Sequence, residues 1–204
     1  MIDPESLDWN KGEGLLPAVV QDAATGRVLM LGYMNREALE HTQASGQVTF
    51  YSRSRGERWT KGETSGNVLD LVGIDVDCDH DTLLVLAHPQ GPTCHLGTQT
   101  CFGDAVRPAL AFLGELDRVV RTRRDADPDS SYTARLLSEG AKRCAQKVGE
   151  EGVEVALAAA GGDAGELIDE SADLLYHLLV AWSAAGVEPA QVFETLIARH
   201  SGRD

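Results

Sequence analysis

Leu69-Asp70-Leu71-Val72-Gly73-Ile74-Asp75-Val76-Asp77-Cys78-Asp79-His80-Asp81 runs from an apolar strand pattern into a cluster of metal-ligating side chains. Successive side chains of a strand point to opposite faces, so an extended chain would set Asp77, Asp79 and Asp81 on one face and Cys78 and His80 on the other. Converging carboxylates form a hard-oxygen site suited to Mg²⁺, whereas a thiolate favours Zn²⁺. More thiols follow: Cys94 lies within Gly91-Pro92-Thr93-Cys94-His95-Leu96-Gly97, with Cys101 beyond it. The competing reading is a solvated acidic strand end beside reduced, half-buried cysteines.

Outward from this stretch the chain splits by hydrophobic period. Segments 15–21, 27–33, 47–52, 69–77 and 82–87 are short and rich in Val, Leu, Ile and aromatics, with a hairpin turn at 22–26. One helix interrupts them over 36–44, with Asn35 as N-cap and Gly46 as its stop. Beyond Pro108 the pattern becomes helical over 109–124, 132–139, 141–160, 164–185 and 189–200, broken at Asp127-Pro128, Gly161-Gly162 and Gly186. The expected architecture is a mainly-β (α+β) N-terminal domain over 1–104 and an all-α helical bundle over 105–204.

The chain of 204 residues is 43% hydrophobic and 25% charged, which suits ordinary globular domains. A net charge of −14 leaves no surplus of Lys and Arg for a nucleic-acid backbone, although divalent cations could bridge carboxylates to a small phosphate ligand. Four cysteines are too few for a disulfide framework and suit a reducing compartment. The acidic N-terminus does not read as a signal peptide, and no apolar run reaches the ~18 residues of a membrane span. The expected setting is the cytoplasm.

In the helical half, Glu150, Glu151 and Glu154 share a helix face, and Glu170 and Asp173 form a second acidic pair on the next long helix. Like charges stacked this way repel, a cost more easily explained if a cation sits among them. Antiparallel packing across Gly161-Gly162 would turn the two groups toward each other and create a Mg²⁺ site inside a bundle. The alternative is a solvated helix face. Removing one of these charges, as in Glu151→Gln or Asp173→Asn, is expected to leave the metal-free protein as stable as the parent or slightly more so. In the strand half, Lys61, Gly62, Thr64, Ser65, Gly66 and Asn67 form a donor-rich loop suited to a phosphate or ribose contact, with a plain hairpin turn as the other reading. Arg53 and Arg55 read as an exposed strand end, and Cys144 as a buried small residue.

The spacing Glu150-Glu151-x-x-Glu154 followed by Glu170-x-x-Asp173 resembles the all-α nucleoside triphosphate pyrophosphatases. The wider stretch from Ser131-Tyr132-Thr133-Ala134 through Lys147-Val148-Gly149-Glu150-Glu151 is similar to phosphoribosyl-ATP pyrophosphatase. Trp59 through Asn67, Asp77 through Asp81 and Gly91 through His95 together resemble phosphoribosyl-AMP cyclohydrolase. From about Leu15 onward the chain resembles the fused bifunctional enzymes of histidine biosynthesis.

That resemblance implies Mg²⁺ at Glu151, Glu154, Glu170 and Asp173, with Glu150 and Glu151 catalytic and Lys147 on substrate. It also implies Zn²⁺ held by Cys94, Cys101 and a homodimer partner's Cys78, with Mg²⁺ at Asp77, Asp79 and Asp81. Three thiolates leave tetrahedral zinc one open position, where a water becomes a nucleophile toward C6 of the N1-substituted adenine. His95 is either the proton-transfer group or a residue orienting the site; His80 and Glu63 rank behind it. Substrates are then phosphoribosyl-ATP and phosphoribosyl-AMP. Two other readings stay open: a general nucleoside triphosphate pyrophosphatase, or a non-catalytic zinc module.

Overall fold

The computed structural model describes residues 1–103 and 108–201. The chain divides into two compact units, Met1–Phe112 and Leu113–Asp204. The boundary expected between residues 104 and 105 lies outside the described residues.

The first unit is built on a four-stranded sheet in the order β2-β1-β6-β5. Strands β1 (Leu16–Asp22) and β2 (Val28–Met34) form an antiparallel hairpin. Its turn is local chemistry: the Asp22 carboxylate accepts from the Ala24 N–H (3.0 Å) and the Thr25 hydroxyl (2.8 Å), and Gly26 supplies a φ of 69°. Helix α1 (Arg36–Ser45) starts where Asn35 accepts from the Ala38 N–H and stops at left-handed Gly46. Strand β6 (Leu83–Pro89) pairs parallel with β1 and antiparallel with β5 (Leu69–Val76). Period-2 alternation puts Leu16, Ala18 and Val20 of β1 and Leu83, Val85 and Ala87 of β6 into one core, with Leu39 of α1 against them.

Two local features depart from the sequence reading. Segment 57–60, outside the strands expected from the sequence, is strand β4 (Glu57–Thr60), paired antiparallel with β3 (Thr49–Ser52) in a separate two-stranded sheet. Cross-strand partners hold it: Phe50 and Trp59 rings are 5.3 Å apart, and the Thr49 and Thr60 hydroxyls meet at 2.9 Å. Strand β5 ends at Val76, so Asp77 to Asp81 form the turn into β6 rather than an extended end.

The second unit is helical: α2 (Ala111–Thr122, beginning at the boundary), α3 (Tyr132–Ser138), α4 (Ala141–Gly161), α5 (Ala164–Ala185) and α6 (Pro189–Ser201). Ser131 caps α3, and α4 passes to α5 through left-handed Gly162 and the N-cap Asp163, which accepts from the Gly165 and Glu166 N–H groups. So short a connection makes α4 and α5 antiparallel neighbours. Val120, Leu136, Cys144 and Val180 form a small fully buried core, whereas Val153, Leu157, Ile168 and Leu175 are exposed. No described helix is long and apolar enough to cross a membrane.

Gly32 on β2 faces the buried Phe50 ring, where an added Cβ would lie 2.4 Å from Cδ1. Gly32→Ala is expected to destabilise the strand-rich unit by about 1–3 kcal/mol through overpacking, read from chemical denaturation.

Candidate functional sites

The turn Asp77–Asp81 is an anion cluster assembled by its own backbone. The Asp77 carboxylate accepts from the N–H groups of Asp81 and Thr82 (both 3.0 Å), the Asp77 N–H reaches the Thr82 carbonyl, and His80 adopts φ +63°. One oxygen from each of Asp77, Asp79 and Asp81 then lies within 4.8 Å of the others. The carboxylates thus converge through turn geometry, not through strand alternation. Lys11, from the N-terminal segment, places its ammonium 2.7 Å from Asp79 and 3.1 Å from Asp81. That contact lowers the Asp79 pKa, chiefly through the Lys11 hydrogen bond, and raises that of Lys11. All-oxygen donors of this kind fit Mg²⁺.

Cys94 and Cys101 line a cavity of about 740 Å³ with Lys61, Asn67 and His95. Gly62, Thr64 and Ser65 line it too, while Gly66 (φ +78°) turns the loop without entering the wall. The Cys94 thiol is held below its ordinary pKa, first by the Leu96 N–H and then by the Thr98 hydroxyl. Cys101 is pushed up by burial and by the charge of Cys94. Burial lowers Lys61, while both thiols act in the opposite direction. His95 Nδ1 lies 3.9 Å from Cys94 Sγ, a loose contact on an exposed side chain. Cys78 is exposed on the acidic turn and does not line this cavity. Two soft donors facing a cavity fit Zn²⁺. Arg55 also lines the cavity, whereas Arg53 stacks 3.8 Å over the Tyr33 ring. Thr93 contributes a buried hydroxyl with no protein partner among the described residues.

The wall is set by close approaches. An added Cβ at Gly91 would lie 2.2 Å from the Asn67 side-chain oxygen, and one at Gly62 would lie 2.3 Å from the Asn67 backbone. Gly91 therefore lets Asn67 stand where the cavity needs it.

In the helical unit, oxygens of Glu151, Glu154 and Glu170 lie within 4.8 Å of one another across α4 and α5. Asp173 is exposed one turn along α5 and lies outside that trio. Glu150 points instead at Gln146 (2.8 Å) and Lys147 (2.9 Å). Glu151 is only 4% exposed, with the Lys147 ammonium at 2.7 Å and His177 Nδ1 at 3.5 Å. Lys147 is the main cause of a lowered Glu151 pKa, whereas burial, followed by the charges of Glu154 and Glu151, raises that of Glu170. These all-oxygen donors also fit Mg²⁺. Lys11 and His177 were not anticipated and carry no local sequence signal, because each acts through a partner supplied by the fold.

A strand-rich unit with a thiol-lined cavity, joined to a helical unit with a converging carboxylate cluster, defines a two-domain class of hydrolase. Residues 30–103 match the phosphoribosyl-AMP cyclohydrolase family and residues 113–200 the phosphoribosyl-ATP pyrophosphohydrolase family. The chain is 57% identical over 201 residues to the histidine biosynthesis bifunctional protein HisIE of Photobacterium profundum, covering 96% of this chain and 97% of that protein. Against the protein of the same name from Escherichia coli (strain K12) it is 57% identical over 194 residues, 95% of each chain. For that of Vibrio parahaemolyticus the figures are 56% over 198 residues, 96% of this chain and 94% of the relative. The chain belongs to this family of bifunctional histidine-biosynthesis hydrolases, with phosphoribosyl-AMP cyclohydrolase and phosphoribosyl-ATP pyrophosphohydrolase activities.

The opposite shifts of Glu151 and Glu170 change the stability expected of charge removal. Glu170 has a raised folded-state pKa, so its ionised form opposes folding at neutral pH and that opposition fades as pH falls through its pKa. Glu170→Gln should therefore raise the Tm of metal-free protein at pH 7, with the gain vanishing in acid. Glu151, with a lowered pKa, stabilises the fold above its unfolded-state pKa and loses that contribution as pH falls. Glu151→Gln should accordingly lower the Tm at pH 7, opposite to the expectation from sequence. Calorimetry of both variants across pH checks the pair.

Proposed function

We propose that residues 105–204 hydrolyse phosphoribosyl-ATP to phosphoribosyl-AMP and pyrophosphate, and that residues 1–104 open the adenine ring of the product at N1–C6. The observation that carries the reading is the thiol pair Cys94 and Cys101 sharing one cavity with Lys61, in the same chain as the Glu151, Glu154 and Glu170 cluster. Mg²⁺ would be held by Glu151, Glu154 and Glu170, with Asp173 joining on substrate binding, and Mg²⁺ again by Asp77, Asp79 and Asp81. Zn²⁺ would be held by Cys94, Cys101 and a partner subunit's Cys78. Bound there, the ions would offset phosphate charge and lower the proton affinity of water.

The chain's own groups carry the remaining work. Lys147, fixed by Glu150, binds the triphosphate; Glu151 accepts the proton of the attacking water. In the strand-rich unit, Lys61 and the 62–67 loop bind phosphate and ribose, which orients the adenine over the thiols. His95 transfers a proton to N1 as the N1–C6 bond breaks. A homodimer is supported by the exposed apolar side chains of Val153 and Leu157 on α4 and of Ile168 and Leu175 on α5, which a second copy could cover. Free thiols favour the reducing cytoplasm.

The test is to supply phosphoribosyl-ATP and follow pyrophosphate release and ring opening separately. Cys94→Ser should cut ring opening by about 100-fold or more while pyrophosphate release stays within about twofold. Loss of both in a folded variant would contradict the division. Chelating zinc should stop ring opening alone.

Sharing of the thiol site has its own signature. A heterodimer of Cys78→Ser and Cys94→Ser chains contains one intact site and one doubly altered one. Mixing and re-equilibrating the two inactive proteins should restore up to about a quarter of parental ring opening. No recovery in a mixture shown to exchange subunits would place all ligands within one chain.

A further inference from the structure

We propose that His177 is a positioning residue for pyrophosphate release, holding the Glu151 carboxylate in place through a chain of contacts that runs from Tyr132. The proposal rests on the reading of Glu151 as part of the catalytic metal site. His177 is 5% exposed, on the face of α5 that meets α4 and α3. Its Nδ1 lies 2.9 Å from the Asp173 backbone carbonyl, and a carbonyl only accepts, so Nδ1 carries a proton. The same N–H edge faces Glu151 Oε1 at 3.5 Å, longer than a direct hydrogen bond but close enough for the positive ring edge to favour the carboxylate. On the opposite side, Nε2 lies 3.3 Å from the Tyr132 hydroxyl, and the two rings meet edge to face.

Three contacts fix the imidazole in plane and in tautomer, and a fourth element braces them. The Thr133 hydroxyl meets the Tyr176 hydroxyl at 2.8 Å, so consecutive residues of α3 grip consecutive residues of α5. Glu151 is thereby held between Lys147 on its own helix and His177 on the next. Lys147 is a flexible ammonium that must face the phosphates in the substrate complex. A rigid, buried partner is what keeps the carboxylate directed once that ammonium is engaged elsewhere. Both ring nitrogens are matched to polar atoms, as burial requires, and what turns the ring to use is that its Nδ1 edge faces the Glu151 carboxylate.

The test compares His177→Phe, His177→Asn, Tyr132→Phe and Glu151→Gln in the full chain. Two quantities are read: kcat for pyrophosphate release, and Mn²⁺ affinity by electron paramagnetic resonance at the site that Glu151→Gln removes. His177→Phe keeps ring volume without nitrogen and should lower both by about 10–100-fold, the range for outer partners of metal ligands. His177→Asn retains an amide N–H near the Nδ1 position and should recover much of each loss. Tyr132→Phe should show a smaller loss in the same direction. If His177→Phe does not fold, the Asn and Tyr132 variants decide. Parental kcat and Mn²⁺ affinity in His177→Phe, or no recovery in His177→Asn relative to it, would overturn the positioning role alone. Unchanged kcat and Mn²⁺ binding in Glu151→Gln would overturn the metal reading and the positioning role with it.

Discussion

Carboxylates brought within 4.8 Å of one another repel unless positive charge stands among them, and both acidic clusters are built around that constraint. Each recruits a lysine. Lys11 reaches Asp79 across 68 residues of sequence, while Lys147 reaches Glu151 from one helical turn away. The first contact is exposed and weakly stabilising; the second ends on a carboxylate that is 4% exposed, where removing the cation would leave a buried unpaired charge. The lysines mark where positive charge is required in each cluster.

Local signals were readable where they are complete within a few residues. Asn35 and Gly46 bracket α1, Ser131 caps α3, and Gly162 with Asp163 turns α4 into α5, each through a backbone contact no more than four residues away. The i, i+3 and i, i+4 carboxylate spacing survives folding because a helix preserves it. The acidic turn shows the limit. Its carboxylates converge, but the geometry depends on Asp77 accepting two N–H groups and on His80 entering a left-handed conformation, neither of which alternation encodes.

What remained hidden is tertiary. Glu57 and Arg58 give β4 no strand signal of their own, and only the Phe50–Trp59 and Thr49–Thr60 pairs make it a strand. His177 reads as one residue of an apolar helix until Tyr132, 45 positions earlier, is set against it. Asp173 illustrates the converse. Its spacing from Glu170 suggests equal participation, yet the α4–α5 packing brings only Glu170 into the trio with Glu151 and Glu154. Side-chain spacing specifies a helix face, and the neighbouring helix decides which residues of that face are used.

The two chemistries make incompatible demands on one pocket. On the proposed reading, ring opening uses soft thiolates in a cavity wide enough to hold a nucleotide, and phosphoanhydride cleavage uses hard oxygens with several negative charges in close range. Burial and then the charge of Cys94 already push the Cys101 thiol toward its protonated form, and further negative charge within this cavity would push it more. The strand-rich unit resolves this by bringing Lys61 to the thiols, and the helical unit by keeping Cys144, its only cysteine, in the core. Each unit has its own hydrophobic core, one behind the β-sheet and one among the helices, and builds its own donor set on it.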